Sequence, residues 1–164
     1  MSSPFAIYPS LKNKVVFVTG GANGIGEDIV RAFTTNEAKV AFVDVMEHRG
    51  LELATDTGAL FFKCDVTDID SLKAAIAATH AALGPISVLV NNAANDDRIA
   101  IDDIDVKYWD WSQAINLRPL FLLRKLFARK CANWAVGLLS ICPRWLGTMA
   151  QILWFRMSLQ SLQS

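Results

Sequence analysis

The chain has 164 residues and balances 16 Lys and Arg against 16 Asp and Glu, for a formal net charge of zero. That length supports one domain with a real core. The balance removes the usual grounds for a nucleic-acid or anionic-membrane partner. Cys64, Cys131 and Cys142 form no spaced pair, which suggests a reducing compartment. The opening MSSPFAIYPSLKNK lacks a long apolar core behind basic residues, and no apolar run reaches membrane-spanning length. A cytoplasmic chain without a membrane partner is the expectation. His48 and His80 are the only histidines and neither has ligand-like neighbours, so no metal is expected.

Lys14 to Gly26 reads KVVFVTGGANGIG. Val15 to Val18 are apolar and mostly β-branched, the pattern of a buried parallel strand. After the glycines, Ile29, Val30 and Phe33 recur at helical spacing, so a first helix is expected from Glu27 to Asn36. Strand, glycine turn and helix together are the context in which such a turn holds phosphate. Gly20 allows the tight turn, Gly24 leaves bare backbone for a pyrophosphate, and Gly26 lets the helix approach the strand. The helix start adds free N–H groups and a positive dipole end.

Lys39 to Val45 is a second apolar run, with Asp44 near its end. Asp44 stands 24 positions after Gly20, close to the roughly 20-residue interval at which an acidic residue meets the adenosine ribose. A carboxylate there accepts from two ribose hydroxyls and repels a 2′-phosphate, which favours NAD over NADP. On that reading Asp44→Ala relaxes the preference. The alternative is a strand-terminal Asp that caps the next helix.

Glu47 to Thr55 is expected to be helical, Leu60 to Val66 a third strand, and Ser71 to Leu83 an alanine-rich helix after the capping pair Thr67-Asp68. Cys64 reads as a small buried hydrophobe. Gly84-Pro85 breaks the chain before a fourth strand, Ile86 to Val90, which runs into Asn91-Asn92-Ala93-Ala94. Val106 to Lys130 reads as one long helix, in which Pro119 must be accommodated or produce a kink. The alternation argues a doubly wound α/β fold with strand order 3-2-1-4.

The spacing at Gly20, Gly24 and Gly26, the NNAA run and Asn116-Leu117 together resemble the short-chain dehydrogenase/reductase family. The resemblance implies a Rossmann-type doubly wound parallel sheet, truncated after the fourth strand. It implies NAD held by Gly20, Asn23, Gly24, Ile25 and Gly26, with Asp65 and Val66 beside the adenine. Asn92 and Ala93 would line the cleft, and Ala94 replaces the family's last glycine. Asn116 would be the first member of a catalytic Asn-Ser-Tyr-Lys set; an Asn in an apolar helix can also simply bond nearby backbone. The AIYPSL lead-in, Asn95-Asp96-Asp97-Arg98 and Tyr108-Trp109-Asp110 are similar to the aldose-dehydrogenase-like subset. The implied substrate is a small alcohol, carbonyl or sugar, and the family is usually homo-oligomeric.

The resemblance covers roughly residues 10 to 123. It then requires a glycine-rich turn, a fifth strand ending in serine, and a Tyr-x-x-x-Lys helix. Tyr8 and Tyr108 are the only tyrosines, and neither is taken as that residue. Ser140 is the one suitably placed serine. Residues 1–130 therefore read as an incomplete NAD(P)-binding domain and 131–164 as an atypical tail. Ala135 to Cys142 could form a strand there, and Met149 to Leu159 a short helix. The tail's codons, read one base out of step, permit a string with the glycine turn, the serine pair and Tyr-x-x-x-Lys. Asn133-Trp134 then forces Leu, and Trp134-Ala135 and Met149-Ala150 each force Gly. A one-base slip between about Leu120 and Arg124 is the expectation, with Ser164 preceding an accidental stop. It leaves the fourth strand's edge unpaired and the tail unselected for packing. A non-catalytic dinucleotide-binding or partner-binding module, docking through the apolar tail, is the alternative.

Overall fold

The computed structural model describes residues 7–130 and 137–140. Strand β1 (Val15–Thr19) leads through the glycine turn into α1 (Gly24–Thr35). β2 (Lys39–Asp44), α2 (Glu47–Thr57), β3 (Leu60–Lys63), α3 (Ile69–Leu83) and β4 (Ile86–Asn91) follow. Then come α4 (Val106–Asn116), α5 (Arg118–Lys130) and β5 (Gly137–Ser140). The sheet order is β3-β2-β1-β4-β5, and every pairing is parallel.

Every residue of β1 is buried, as its central place requires. Alternation divides the apolar strand residues between two layers. Val15, Phe17, Ala41, Val43 and Leu89 face α3 and α5 through Leu72, Ile76, Leu123 and Phe127. Val16, Val18, Phe42 and Val90 face α1 and α2 through Val30 and Leu53. Full burial of an aromatic such as Phe17 or Phe42 contributes roughly 1.5–3 kcal/mol. The doubly wound expectation therefore holds, strand order included.

Several boundaries move for identifiable reasons. α1 begins at Gly24, three residues before Glu27, because the loop glycines themselves make its first turn. β3 ends at Lys63 and not Val66, since Asp65 turns the chain by accepting from the Thr67 N–H and hydroxyl, both at 2.8 Å. α3 starts at Ile69, where the Asp68 carboxylate accepts from the N–H groups of Asp70 and Ser71. Asp68→Ala should cost about 1 kcal/mol in denaturant unfolding; an unchanged midpoint would mean this cap contributes nothing.

The single helix expected over Val106–Lys130 is two. It breaks at Leu117, whose backbone leaves the helical basin at φ −121° and ψ −47°. Pro119 lacks the N–H that would bond the carbonyl of Ile115, so the second helix is restarted just ahead of it. The edge of β4 is also paired, contrary to the open edge expected: Val88 to Asn91 run in register with Gly137 to Ser140. β5 lies inside the stretch read as a possible strand. The short helix suggested for Met149–Leu159 lies outside the described residues.

Candidate functional site

At the C-terminal ends of β1, β2 and β4 three loops converge. Gly20 takes a left-handed φ of +67°, and a Cβ there would meet Ala93 Cα at 2.7 Å. Its N–H and that of Gly21 both donate to the Val43 carbonyl, at 2.8 and 3.2 Å, tying the turn to β2. Gly24 is also left-handed at +54°, and apart from its chain neighbours and its own helix backbone nothing lies within 4 Å of a built Cβ. Gly26 is the opposite case, because a Cβ there would strike the Gly20 carbonyl oxygen and lie 2.7 Å from Asn92 Nδ2. A side chain would thus clash at Gly20 and Gly26 and would not at Gly24.

Asn23 is the N-cap of α1 but makes no side-chain capping bond, so the first-turn N–H groups receive no side-chain acceptor from it. Ile25 is 65 % exposed beside them. Glu27 in the same turn would oppose an anion, but it is paired with Arg31 at 2.9 Å. Arg31 also reaches Asp56 at 3.2 Å. An open glycine backbone, an uncapped helix start and a neutralised first-turn acid fit a bound pyrophosphate.

The Asp44 carboxylate is half-buried at the end of β2. Its Oδ2 accepts from the Ala22 N–H and its Oδ1 from the Met46 N–H, each at 2.9 Å. It does not cap α2 directly, since the N-cap is Met46. Val45 and Met46, both exposed, extend apolar surface beside it. Asp65 is exposed at the end of β3, and Val66 is buried next to it.

Asn92 Nδ2 donates to the carbonyls of Thr19 at 3.2 Å and Gly20 at 2.7 Å. Thr19 was missed in the sequence reading. Its buried hydroxyl accepts the N–H groups of Asn92 and Ala93, at 3.0 and 3.1 Å, and so holds the NNAA loop against β1. The available signal was its place as the lone polar residue of an otherwise apolar strand. Thr19→Val keeps the shape and strands two donors, so a loss of about 1–3 kcal/mol is expected in chemical unfolding. A variant as stable as wild type would show the two N–H groups find other acceptors. Ala94 keeps a negative φ, so the missing glycine costs no backbone strain.

Asn116 faces the loop after β4. Its Oδ1 accepts from the Asn95 N–H at 2.9 Å, and its Nδ2 donates to the Asn95 carbonyl at 3.0 Å and to Ser112 Oγ at 3.2 Å. Its backbone partner is therefore a loop residue 21 positions away and not a neighbouring helical carbonyl. Ser140 ends β5 in register with Asn91.

Tyr8 does have Lys12 four residues on, the bare spacing of the missing motif. Its place rules it out: the Tyr8 N–H donates to Asn36 Oδ1 and Lys12 pairs with Glu37, at the N-terminal end of β1. That is the opposite end of the sheet from the glycine turn. The Tyr108 hydroxyl donates to the Asp97 carbonyl at 3.4 Å, and its ring packs on Trp111. Cys64 is a free, buried thiol whose pKa burial pushes up, which suits an inert core residue. Among the described residues no group of three His, Cys, Asp or Glu could hold a metal. No described helix is long and apolar enough to cross a membrane.

The family described as short chain dehydrogenase matches residues 14–138. The chain belongs to the short-chain dehydrogenase family. A probable galactose dehydrogenase of Rhizobium meliloti is 40% identical over 129 residues, covering 75% of this chain and 50% of the relative. A D-xylose 1-dehydrogenase of Caulobacter vibrioides is 35% identical over 128 residues, with the same coverage of 75% and 50%. The chain therefore spans about half the length of the curated relatives it matches. Among solved structures, a mutant short-chain dehydrogenase/reductase of Serratia marcescens superposes with a TM-score of 0.69. It is 30% identical, with 74% of this chain and 52% of that chain covered. A short-chain dehydrogenase of Bacillus anthracis, 22% identical with a TM-score of 0.75, shares the fold; 85% of this chain and 61% of that one are covered.

Proposed function

We propose that this chain is the NAD-binding portion of a short-chain dehydrogenase that oxidises a small alcohol or sugar, and that on its own it is inactive. The observation that carries the reading is the open, left-handed Gly24 at an uncapped helix start, beside the Asp44 carboxylate. Gly20, Asn23, Gly24, Ile25 and Gly26 would hold the pyrophosphate, and Asp44 the adenosine ribose. Asp65 and Val66 would border the adenine, and Asn92 and Ala93 the inner cleft. Bound NAD supplies a hydride acceptor. In that frame Asn116 fixes the loop at Asn95, Ser140 ends the fifth strand where the family's serine would stand, and neither Tyr8 nor Tyr108 is placed as the tyrosine of a Tyr-x-x-x-Lys helix that would handle the substrate proton. Relatives named as galactose and D-xylose dehydrogenases support a sugar as substrate.

Competitive titration tests the cofactor. NADH should bind more tightly than NADPH, because a 2′-phosphate would meet Asp44; tighter NADPH binding overturns the assignment. The missing residues are proposed to lie in a reading frame displaced by one base after about Leu120. Sequencing the gene decides that: a displaced frame without Tyr-x-x-x-Lys ends the idea. A cytoplasmic location accords with the cysteine usage.

A second reading, a partner-binding module, is favoured by one feature. α4 buries none of its residues, and Val106, Trp109 and Phe121 are exposed on α4 and α5. A monodisperse, stable purified chain would favour it, and self-association would match the family's usual assembly.

A further inference from the structure

We propose that Asp44 is the latch of the glycine loop as well as its ribose ligand, so that cofactor choice and loop shape cannot be changed separately. The proposal rests on the NAD-binding reading for its second half only. Three consecutive N–H groups of the loop are committed to the end of β2. Those of Gly20 and Gly21 use the Val43 carbonyl, which any side chain would leave in place. The third, from Ala22, uses Asp44 Oδ2 at 2.9 Å. Ala22 is 1 % exposed, so water is a poor substitute acceptor for that N–H. The other carboxylate oxygen holds the Met46 N–H at 2.9 Å, which anchors the Asp44 side chain to the β2–α2 turn. One carboxylate thus bridges the loop before α1 and the turn before α2.

Two consequences distinguish a latch from a plain ribose ligand. A residue that acts only on the 2′ position, once removed, improves NADPH binding relative to wild type. A latch, once removed, leaves the buried Ala22 donor without an acceptor and loosens the turn ahead of Gly24. The pyrophosphate is common to both nucleotides, so both should then bind less well. Asp44→Ala should therefore relax the preference only against a general loss of affinity for both nucleotides. Asp44→Asn keeps one acceptor oxygen for two N–H groups and so should fall between wild type and Asp44→Ala.

The test is backbone amide exchange of unliganded wild type, D44A and D44N, joined to NADH and NADPH titrations of the same proteins. The exchange rate at Ala22 should rise by about tenfold in D44A and by less in D44N. Affinity for NADH and for NADPH should both fall in D44A. An Ala22 rate unchanged in either variant, or a D44A chain that binds NADPH more tightly than wild type, overturns the latch. If wild type binds neither nucleotide, the cofactor reading fails, and the exchange rates still decide the latch. If D44A does not fold, D44N decides the same question through the Ala22 rate.

Discussion

Gly26→Ala should abolish useful dinucleotide binding and destabilise the chain together. The new methyl would strike the Gly20 carbonyl oxygen and crowd Asn92 Nδ2 at 2.7 Å. Neither obstacle is the free end of a flexible side chain. The oxygen is backbone, and the Asn92 amide is held to that oxygen at 2.7 Å and to the Thr19 carbonyl at 3.2 Å. α1 must therefore move off the strand or the Asn92 bond must break. Overpacking of this kind costs roughly 1–3 kcal/mol, and a stranded buried amide adds to it. Because α1 opens at the cradle, its displacement moves Gly24 and the first-turn N–H groups from their places. A fall in NADH affinity of at least about tenfold corresponds to only about 1.4 kcal/mol. Gly50→Ala separates the two effects. Its methyl would press the Phe61 ring and neither the Gly20 carbonyl nor Asn92, so it should lose stability with a much smaller loss of affinity than Gly26→Ala. Wild-type NADH affinity in Gly26→Ala would refute the close-approach role.

No NADH should form when the purified chain meets NAD and a panel of sugars and alcohols. Acid–base help from a positioned side chain contributes roughly 10²–10⁴-fold, and no tyrosine of this chain is placed to give it. Tyr8 sits at the far end of β1, a five-residue strand that at about 3.3 Å per residue spans roughly 16 Å. Tyr108 spends its hydroxyl on the Asp97 carbonyl and has Ser112, not lysine, four residues on. Asn116 alone transfers no proton, and its amide is engaged with Asn95. Steady NADH formation above buffer, lost in Gly24→Trp, would show that another group does the work.

The sheet and its order were legible because they rest on short β-branched runs separated by glycines, which periodicity reads well. The start of α1 was not, since the residues that form its first turn are glycines with weak helical preference of their own. The break at Leu117 was half legible. Pro119 announced a disturbance, but whether a helix bends or restarts is decided by which carbonyls find other donors. In the candidate site, the loop glycines could be placed from spacing and Asn92 only from the family resemblance. Thr19 stood out only as the one polar residue of an apolar strand; its role needed the fold, because its hydroxyl serves two N–H groups of a loop more than 70 residues away. Asp44 was found for its charge and position. Its bond to Ala22 needed the folded turn. Tyr8 and Lys12 show the reverse hazard, a motif spacing that the fold sets at the wrong end of the sheet.

The most direct test of the cofactor site is amide exchange of the intact chain with and without saturating NADH. Slowed exchange is expected at residues 20–26, 44–46 and 92–95, and none in the middle of α3. Unchanged exchange at those loops, or protection confined to other segments, would contradict it.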